Sequence, residues 1–508
     1  MRKRKVLADT AAAEAVTREG AEMDTRAAQP PAAALETGRS SELEKTLRWW
    51  DGVTITLGLP AALFVGLAAS VGALGAWTAI ALWAAIAAIA VLHNWIYSEM
   101  ASMFPDKSGG IALFASQAWQ RRAPAIGPLA TYAYWFAWAT APAIWGLSVA
   151  GILTSQFWPD STWSTTILGI DFDLSRTIAL AVAVVSWLLA MFRLSTAKWI
   201  MTVVGVSLMV PVAIFGTVSF ADSGWSTSSF TWSLPSGGEG LRTALAWLFI
   251  MAWSAYAIEA AASFVPEFRD TVRDTRRSIR VAGLVFLAVA VLTPIGIAGL
   301  LGQDALAAAP YTFLGDSADV LFGGGAALVT ILLIGGIMLL SVMGTADAGR
   351  ALYQSSLDGL TVRQFGTLDR RGVPARALTI QLLINVALVL FVGNALAVIV
   401  AGNVGFVLAH LLAVAGFLLL RRDAPGAPRP IRLGRGWFGI GVALVVFDAV
   451  ILVAGVTSAS ITGYGGLKEI LISVGVLSIS QLLFLVRRWQ DRRPAVPSEP
   501  AAGAAVAP

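Results

Sequence analysis

Residues 241–280 read LRTALAWLFIMAWSAYAIEAAASFVPEFRDTVRDTRRSIR. An apolar run long enough to cross a bilayer carries one carboxylate, Glu259, and passes straight into a basic tract. An acid at the centre of a membrane helix costs about 2.5–3.5 kcal/mol on insertion scales, so Glu259 needs a protein-lined or water-lined setting. It is the first functional candidate. The basic tract marks the end of the span that faces the cytosol.

The whole chain follows this pattern. Of its 508 residues 57% are apolar and 13% charged, a membrane composition, so spans have to be counted before domains. About twelve segments are long enough, at about 52–75, 79–103, 126–153, 176–193, 197–220, 241–265, 281–302, 320–345, 376–393, 395–420, 436–457 and 467–486. Every even-numbered exit is basic: Arg121 and Arg122; Arg193 and Lys198; Arg269 to Arg280; Arg350 to Arg376; Arg421 to Arg435; Arg487 to Arg493. The opposite loops carry Asp160, Asp171, Asp173, Asp222, Asp304, Asp316 and Asp319. The alternation predicts a multi-pass protein of the cell membrane with both termini cytosolic. Orientation thereby accounts for the net charge of +5, and no nucleic-acid partner is needed. With no cysteine, disulfides and thiolate metal sites are excluded. Residues 1–48 have a basic start but no uninterrupted apolar region, so they read as a cytosolic tail without a cleaved signal, and 488–508 as a second, proline- and alanine-rich tail.

Two spans carry interruptions. In the first, Pro60 removes a backbone donor and predicts a kink or break between Gly58 and Ala62. In the sixth, Ser254 to Glu259 place polar groups at mid-membrane. A simple proline kink is the ordinary explanation of the first. Matched interruptions five spans apart also point to an inverted-repeat transporter whose substrate sits where the broken helices meet. The third span is rich in aromatics, Tyr132, Tyr134, Trp135, Phe136, Trp138 and Trp145, which suit packing or an interfacial belt; Tyr134 and Trp138 are the pair expected to wall a pocket. Asp347 and Arg350 are spaced to pair across one turn, and Asn403 to join helices. His93, His410 and Asp448 complete the intramembrane polar set, with Asp448 leaving a homodimer contact open.

The second span ends in Tyr97, Glu99, Pro105, Gly109 and Gly110, and the eighth is followed by Arg350, Leu352, Tyr353, Asp358, Gly359 and, further on, Pro374. On these motifs the chain from about Trp49 to Arg488 resembles the amino acid/polyamine/organocation transporter superfamily. The resemblance implies an all-α membrane fold: a ten-helix core at 49–435, with repeats at 49–220 and 241–421 and helices one and six broken, then two further helices at 436–487. It also implies alternating access, with a substrate site of Gly58, Pro60, Ala61, Ala62, Tyr134, Trp138, Trp253, Ser254, Tyr256, Ala257 and Glu259, and with Glu259 carrying a coupled proton. Ser341 and Thr345 stand where related folds hold sodium, although hydroxyls bonded back to the preceding turn are the commoner reading. The departures are specific. Ala257 replaces the family's glycine, Pro60 to Phe64 replace its glycine-rich run, and Gly205 stands where some sodium-independent members carry lysine. Alanine resists φ > 0, so less open backbone is expected at both breaks.

The expected function is therefore secondary transport of an amino acid or related amine, by proton-coupled symport or exchange, with that solute and the bilayer as partners, a homodimer left open, and no cofactor or metal. A sodium-coupled symporter of an organic solute is the alternative, and a non-transporting nutrient sensor is a further one. No HExxH, paired-carboxylate metal motif or nucleophile elbow is present, which ranks an enzyme last.

Overall fold

The computed structural model describes residues 45, 47–107, 109–167, 169–191 and 197–492. The two tails up to residue 44 and beyond residue 492, and the exit residues Arg193 and Ser195, lie outside the described residues.

The apolar runs become helices. The first span divides into α1 (Trp49–Leu57), a 3-10 turn at Leu59–Ala62 and α2 (Leu63–Leu74), so the chain breaks where Pro60 predicts. Next come α3 (Ala76–Met103), α4 (Gly110–Trp119), α5 (Ile126–Ala139) and α6 (Ala141–Phe157). The third span is thus interrupted at Thr140, just before Pro142. A short antiparallel hairpin, β1 (Ser164–Ile167) and β2 (Ile170–Asp173), leads into α7 (Leu174–Ala190) and α8 (Ala197–Phe215). The sixth span is α9 (Gly237–Tyr256) continued by a 3-10 segment, Ala257–Glu267. The chain proceeds through α10 (Thr271–Leu301), α11 (Gln303–Ala308), α12 (Phe313–Phe322), α13 (Ala326–Leu357), α14 (Ala375–Phe391), α15 (Ala395–Asp423), α16 (Trp437–Ser458) and α17 (Leu467–Arg492).

Eight of these helical stretches are long and apolar enough to cross a membrane; α2, α7, Ser207–Ala221 and α14 are shorter apolar helices. The inner helices bury nearly all of the sixth and tenth spans, α9 and α15, whereas α16 and α17 leave Val446, Val453, Leu471, Leu482 and Leu485 exposed. A bilayer accepts such outward apolar faces because the helix satisfies its own backbone.

Several boundaries differ from the sequence reading. The basic tract after the sixth span is largely helical: the Asp270 side chain accepts from the Arg273 amide at 2.9 Å and starts α10, so Arg273, Arg276, Arg277 and Arg280 ride on its first turns. Asp358 and Gly359 end the long α13, with Gly359 at φ 73°, so the eighth span, read as ending at 345, runs on as helix to Leu357. Helix α17 runs on to Arg492, through residues read as tail. Leu47, also read as tail, is buried and pairs with the segment after the sixth span: its amide donates to Glu267 O at 2.9 Å and its carbonyl accepts from the Arg269 amide at 2.8 Å.

Candidate functional site

The two breaks meet. A small hollow, with room for about one water molecule, is lined by Leu59 and Ala62 of the first span, Trp253 and Ala257 of the sixth, Ala137, Trp138 and Trp145 of the third, and Phe406 of α15. Of the residues expected from sequence, Ala62, Trp138, Trp253 and Ala257 face it. Ser254 is buried in α9 outside the lining, and Gly58 lies at the α1 terminus with helical φ −75°. Only the backbone of Pro60 and Ala61 is described, within the 3-10 turn.

The expectation of less open backbone agrees with the geometry. Ala257 has φ −57° and ψ −23°, so the chain tightens into 3-10 winding without entering the left-handed region that would require glycine.

Glu259 is wholly buried, and its Oε1 accepts from the Tyr134 hydroxyl at 2.8 Å. The other oxygen, Oε2, has no hydrogen-bond donor among the described residues. Gly109 and Gly110, with φ of 131° and 52°, start α4 against this acid: a Cβ on Gly110 would lie 3.4 Å from Glu259 Oε2 and 2.8 Å from Ser263 Oγ. The glycine pair therefore lets the first turn of α4, the positive end of its dipole, approach the carboxylate. Tyr134, expected to wall the pocket beside Trp138, stands outside the lining of the hollow and instead bonds the acid.

Tyr256 is placed differently from the expectation. Its hydroxyl donates to Asp448 Oδ1 at 2.7 Å, away from the hollow. Asp448 also lies 3.0 Å from His93 Nε2, so this buried acid, left open above for a subunit contact, has its partners within the chain. Tyr97 and His410 Nδ1 are 2.8 Å apart beside them.

Ser341 and Thr345 have other engagements: Thr345 Oγ1 donates to Ser341 O at 2.8 Å, and Ser341 Oγ meets Ser186 Oγ at 2.8 Å. Asn403 donates to Phe249 O and ties α15 to α9, as its position suggested. Asp347 and Arg350 pair at 3.9 Å. Tyr132 and Trp135 serve packing, the first meeting Thr361 Oγ1 at 2.6 Å and the second donating to Ala348 O at 3.0 Å.

Sequence reasoning missed three participants. Trp145 lines the hollow seven residues after Trp138, across the break at Thr140, a spacing that in the continuous helix read from sequence puts both on one face. Asn385 holds the break in the third span: it accepts from the Ala143 amide and donates to Ala139 O, both at 2.8 Å. Glu99 is buried under Arg421, with Nη2 to Oε2 at 2.6 Å and Nε to Oε1 at 3.1 Å, and also accepts from the Leu433 amide at 2.8 Å. The spacing of Trp145 was a usable signal; the other two unite residues hundreds of positions apart.

Comparison with known proteins agrees with the fold. The chain is 25% identical over 258 residues to the lysine-specific permease LysP of Escherichia coli (strain K12), a match covering 48% of this chain and 51% of that protein. The match thus spans about half the length of the curated relative. A family model described as amino acid permease matches residues 47–475, nearly all of the described helices. With its long apolar helices the chain is a multi-pass membrane protein, and it belongs to the amino acid permease family.

Proposed function

We propose that this protein is a secondary active transporter of an amino acid or related amine, working by alternating access in the cell membrane with both termini cytosolic. The observation that carries the reading is the meeting of two broken helices, at Leu59–Ala62 and Ala257–Glu267, on one aromatic-lined hollow beside a buried carboxylate. Two interrupted helices five spans apart that meet at mid-membrane are an arrangement typical of inverted-repeat carriers. The four shorter apolar helices fit a twelve-span count, and breaks in spans one and six fit a five-plus-five repeat.

The hollow takes about one water, so an amino acid requires it to widen. Movement of Trp138, Trp145, Trp253 and Phe406, or separation of the broken helices, supplies that room. Glu259 then faces the substrate's ammonium group or carries a coupled proton. Proton coupling is favoured over sodium because a buried carboxylate, Glu259, stands beside the hollow and can carry a proton.

The test is uptake of radiolabelled amino acids and polyamines into proteoliposomes, with and without an imposed pH gradient. Accumulation of one class is expected. Glu259→Gln should flatten the pH dependence, and an unchanged dependence would remove Glu259 from proton coupling. Saturable binding without flux would identify a sensor, and flux that follows sodium at fixed pH would identify a sodium symporter.

A further inference from the structure

The chain contains two histidines, and both are buried in one cluster at the broken end of α9. His93 of α3 lies with Nε2 3.0 Å from Asp448 Oδ2 of α16, and Tyr256 donates to the other oxygen of that carboxylate at 2.7 Å. The His93 and His410 rings stand 5.6 Å apart, and both pack on the Tyr256 ring, at 4.8 and 4.4 Å respectively. Asp448 is fully buried and His93 is 1% exposed. His93 Nδ1 and His410 Nε2 have no hydrogen-bond partner among the described residues.

A carboxylate in such a place is expensive unless it is neutralised. When His93 is neutral, one shared proton bridges Nε2 and Oδ2, and the pair carries a net negative charge. His93 Nδ1 then offers a free lone pair. A proton added there gives imidazolium beside carboxylate, and the pair becomes neutral overall. The other ionisable groups near the pair are Tyr97 on α3, which meets His410 Nδ1 on α15; Tyr256 on α9; and Glu259, which is bonded to Tyr134 of α5. Helix α4 presents Phe114 to Tyr97. The cations on neighbouring elements are engaged elsewhere: Arg421 and Arg429 with Glu99, Arg280 over the Trp95 ring, and Arg242 against Ser458.

We propose that His93 and Asp448 form a proton-binding pair whose charge state reaches the break in the sixth span through Tyr256. This deepens the transport reading above and rests on it. Tyr256 is the last residue of α9, and Ala257, which follows it, lines the hollow. With the pair anionic, Tyr256 donates to a carboxylate bearing a full charge, a strong bond. With His93 protonated, the carboxylate shares its charge with the imidazolium, the Tyr256 bond weakens, and the start of the 3-10 segment is released. Loading of a proton thereby becomes movement at the substrate hollow. Glu259 is a separate site on the other side of the break.

With two histidines in the chain, 15N-imidazole labelling of the full-length protein in lipid bilayers reports two rings, and His410→Asn leaves the His93 ring alone. Solid-state NMR between about pH 5 and about pH 9 should show that ring passing from neutral to cationic. In Asp448→Asn it should remain neutral across the range, while in Tyr256→Phe and Glu259→Gln it should still titrate. A His93 ring that stays neutral in the wild type, or titrates unchanged in Asp448→Asn, overturns the proposal. The second arm follows trapped-dye acidification of proteoliposomes under L-lysine and L-alanine gradients. Asp448→Asn and Tyr256→Phe should cut protons carried per solute by about twofold, because the separate Glu259 site still carries its own. Wild-type ratios in both variants overturn the coupling through Tyr256. If wild-type protein carries no solute at all, the transport reading fails, and the ring titration by itself decides whether the proton pair exists.

Discussion

The hydroxyl of Tyr134 donates a 2.8 Å hydrogen bond to Oε1 of Glu259 and joins the third span to the broken sixth. Tyr134→Phe leaves both oxygens of a buried acid without a donor, a loss of about 1–3 kcal/mol and more for a charged group. The expected result is a drop in thermal stability together with an uptake rate reduced by about tenfold. Glu259→Gln still offers a carbonyl to Tyr134, so its stability should stay near wild type while pH dependence is lost. Equal stability in Tyr134→Phe and wild type would show that the bond is not a support of the site.

Much of this was legible before any geometry, for physical reasons. Pro60 cannot donate in a helix, so the first break is written in its residue type. Glu259 stands out because lipid penalises acids, and Tyr134 stands on an aromatic face that had to pack somewhere. The sequence does not announce that Tyr256 turns from the hollow to Asp448, because a tyrosine at a helix end has two directions available and only the partner helix chooses. Nor does it announce the Glu99–Arg421 pair: the basic exit of α15 reads as an orientation signal, and its second role needs α3 beside it.

Gly110 combines φ 52° with a close approach, since an added Cβ would meet Ser263 Oγ at 2.8 Å and Glu259 Oε2 at 3.4 Å. Gly110→Ala is therefore expected to push α4 from the 3-10 segment and lower uptake by about tenfold or more. Gly372, at φ 75° with nothing within 4 Å, is the control: Gly372→Ala carries backbone strain alone. Uptake and melting curves of the two variants side by side separate crowding at the site from strain. Similar behaviour of both would remove the special place of Gly110.

Glu99 and Arg421 form a two-pronged ion pair between the ends of α3 and α15, with the Glu99 side chain fully buried. Removing one partner of a buried pair costs about 3–5 kcal/mol when the other is left alone, and here Arg429, 3.5 Å from Glu99 Oε1, offsets part of that loss. Arg421→Ala should therefore lower the melting temperature of the purified protein strongly. Arg421→Lys should recover little, because an ammonium lacks the planar fork. Glu99→Gln combined with Arg421→Ala should cost less than the sum of the single changes, because the stranded charge is gone. Additive losses would mean that the two groups do not interact.

Asn385 divides its amide between opposite demands at the third-span break: Oδ1 accepts from the Ala143 amide, while Nδ2 donates to Ala139 O and Gln381 O, each at 2.8 Å. The break at Thr140 sets where Trp138 and Trp145, on either side of it, face the hollow. Asn385→Asp keeps shape and volume but places a carboxylate oxygen against two carbonyls, whereas Asn385→Ala merely leaves those groups unmet. Near-isosteric Asp is therefore expected to be the worse variant, with Ala costing about 1–3 kcal/mol and Asp more. Melting temperature and uptake should fall in the same order, because the amide both stabilises the kink and sets the two tryptophans. If Asp matched wild type, the donor side of Asn385 would have no part in holding the break, and the position of the tryptophans would have to come from packing alone.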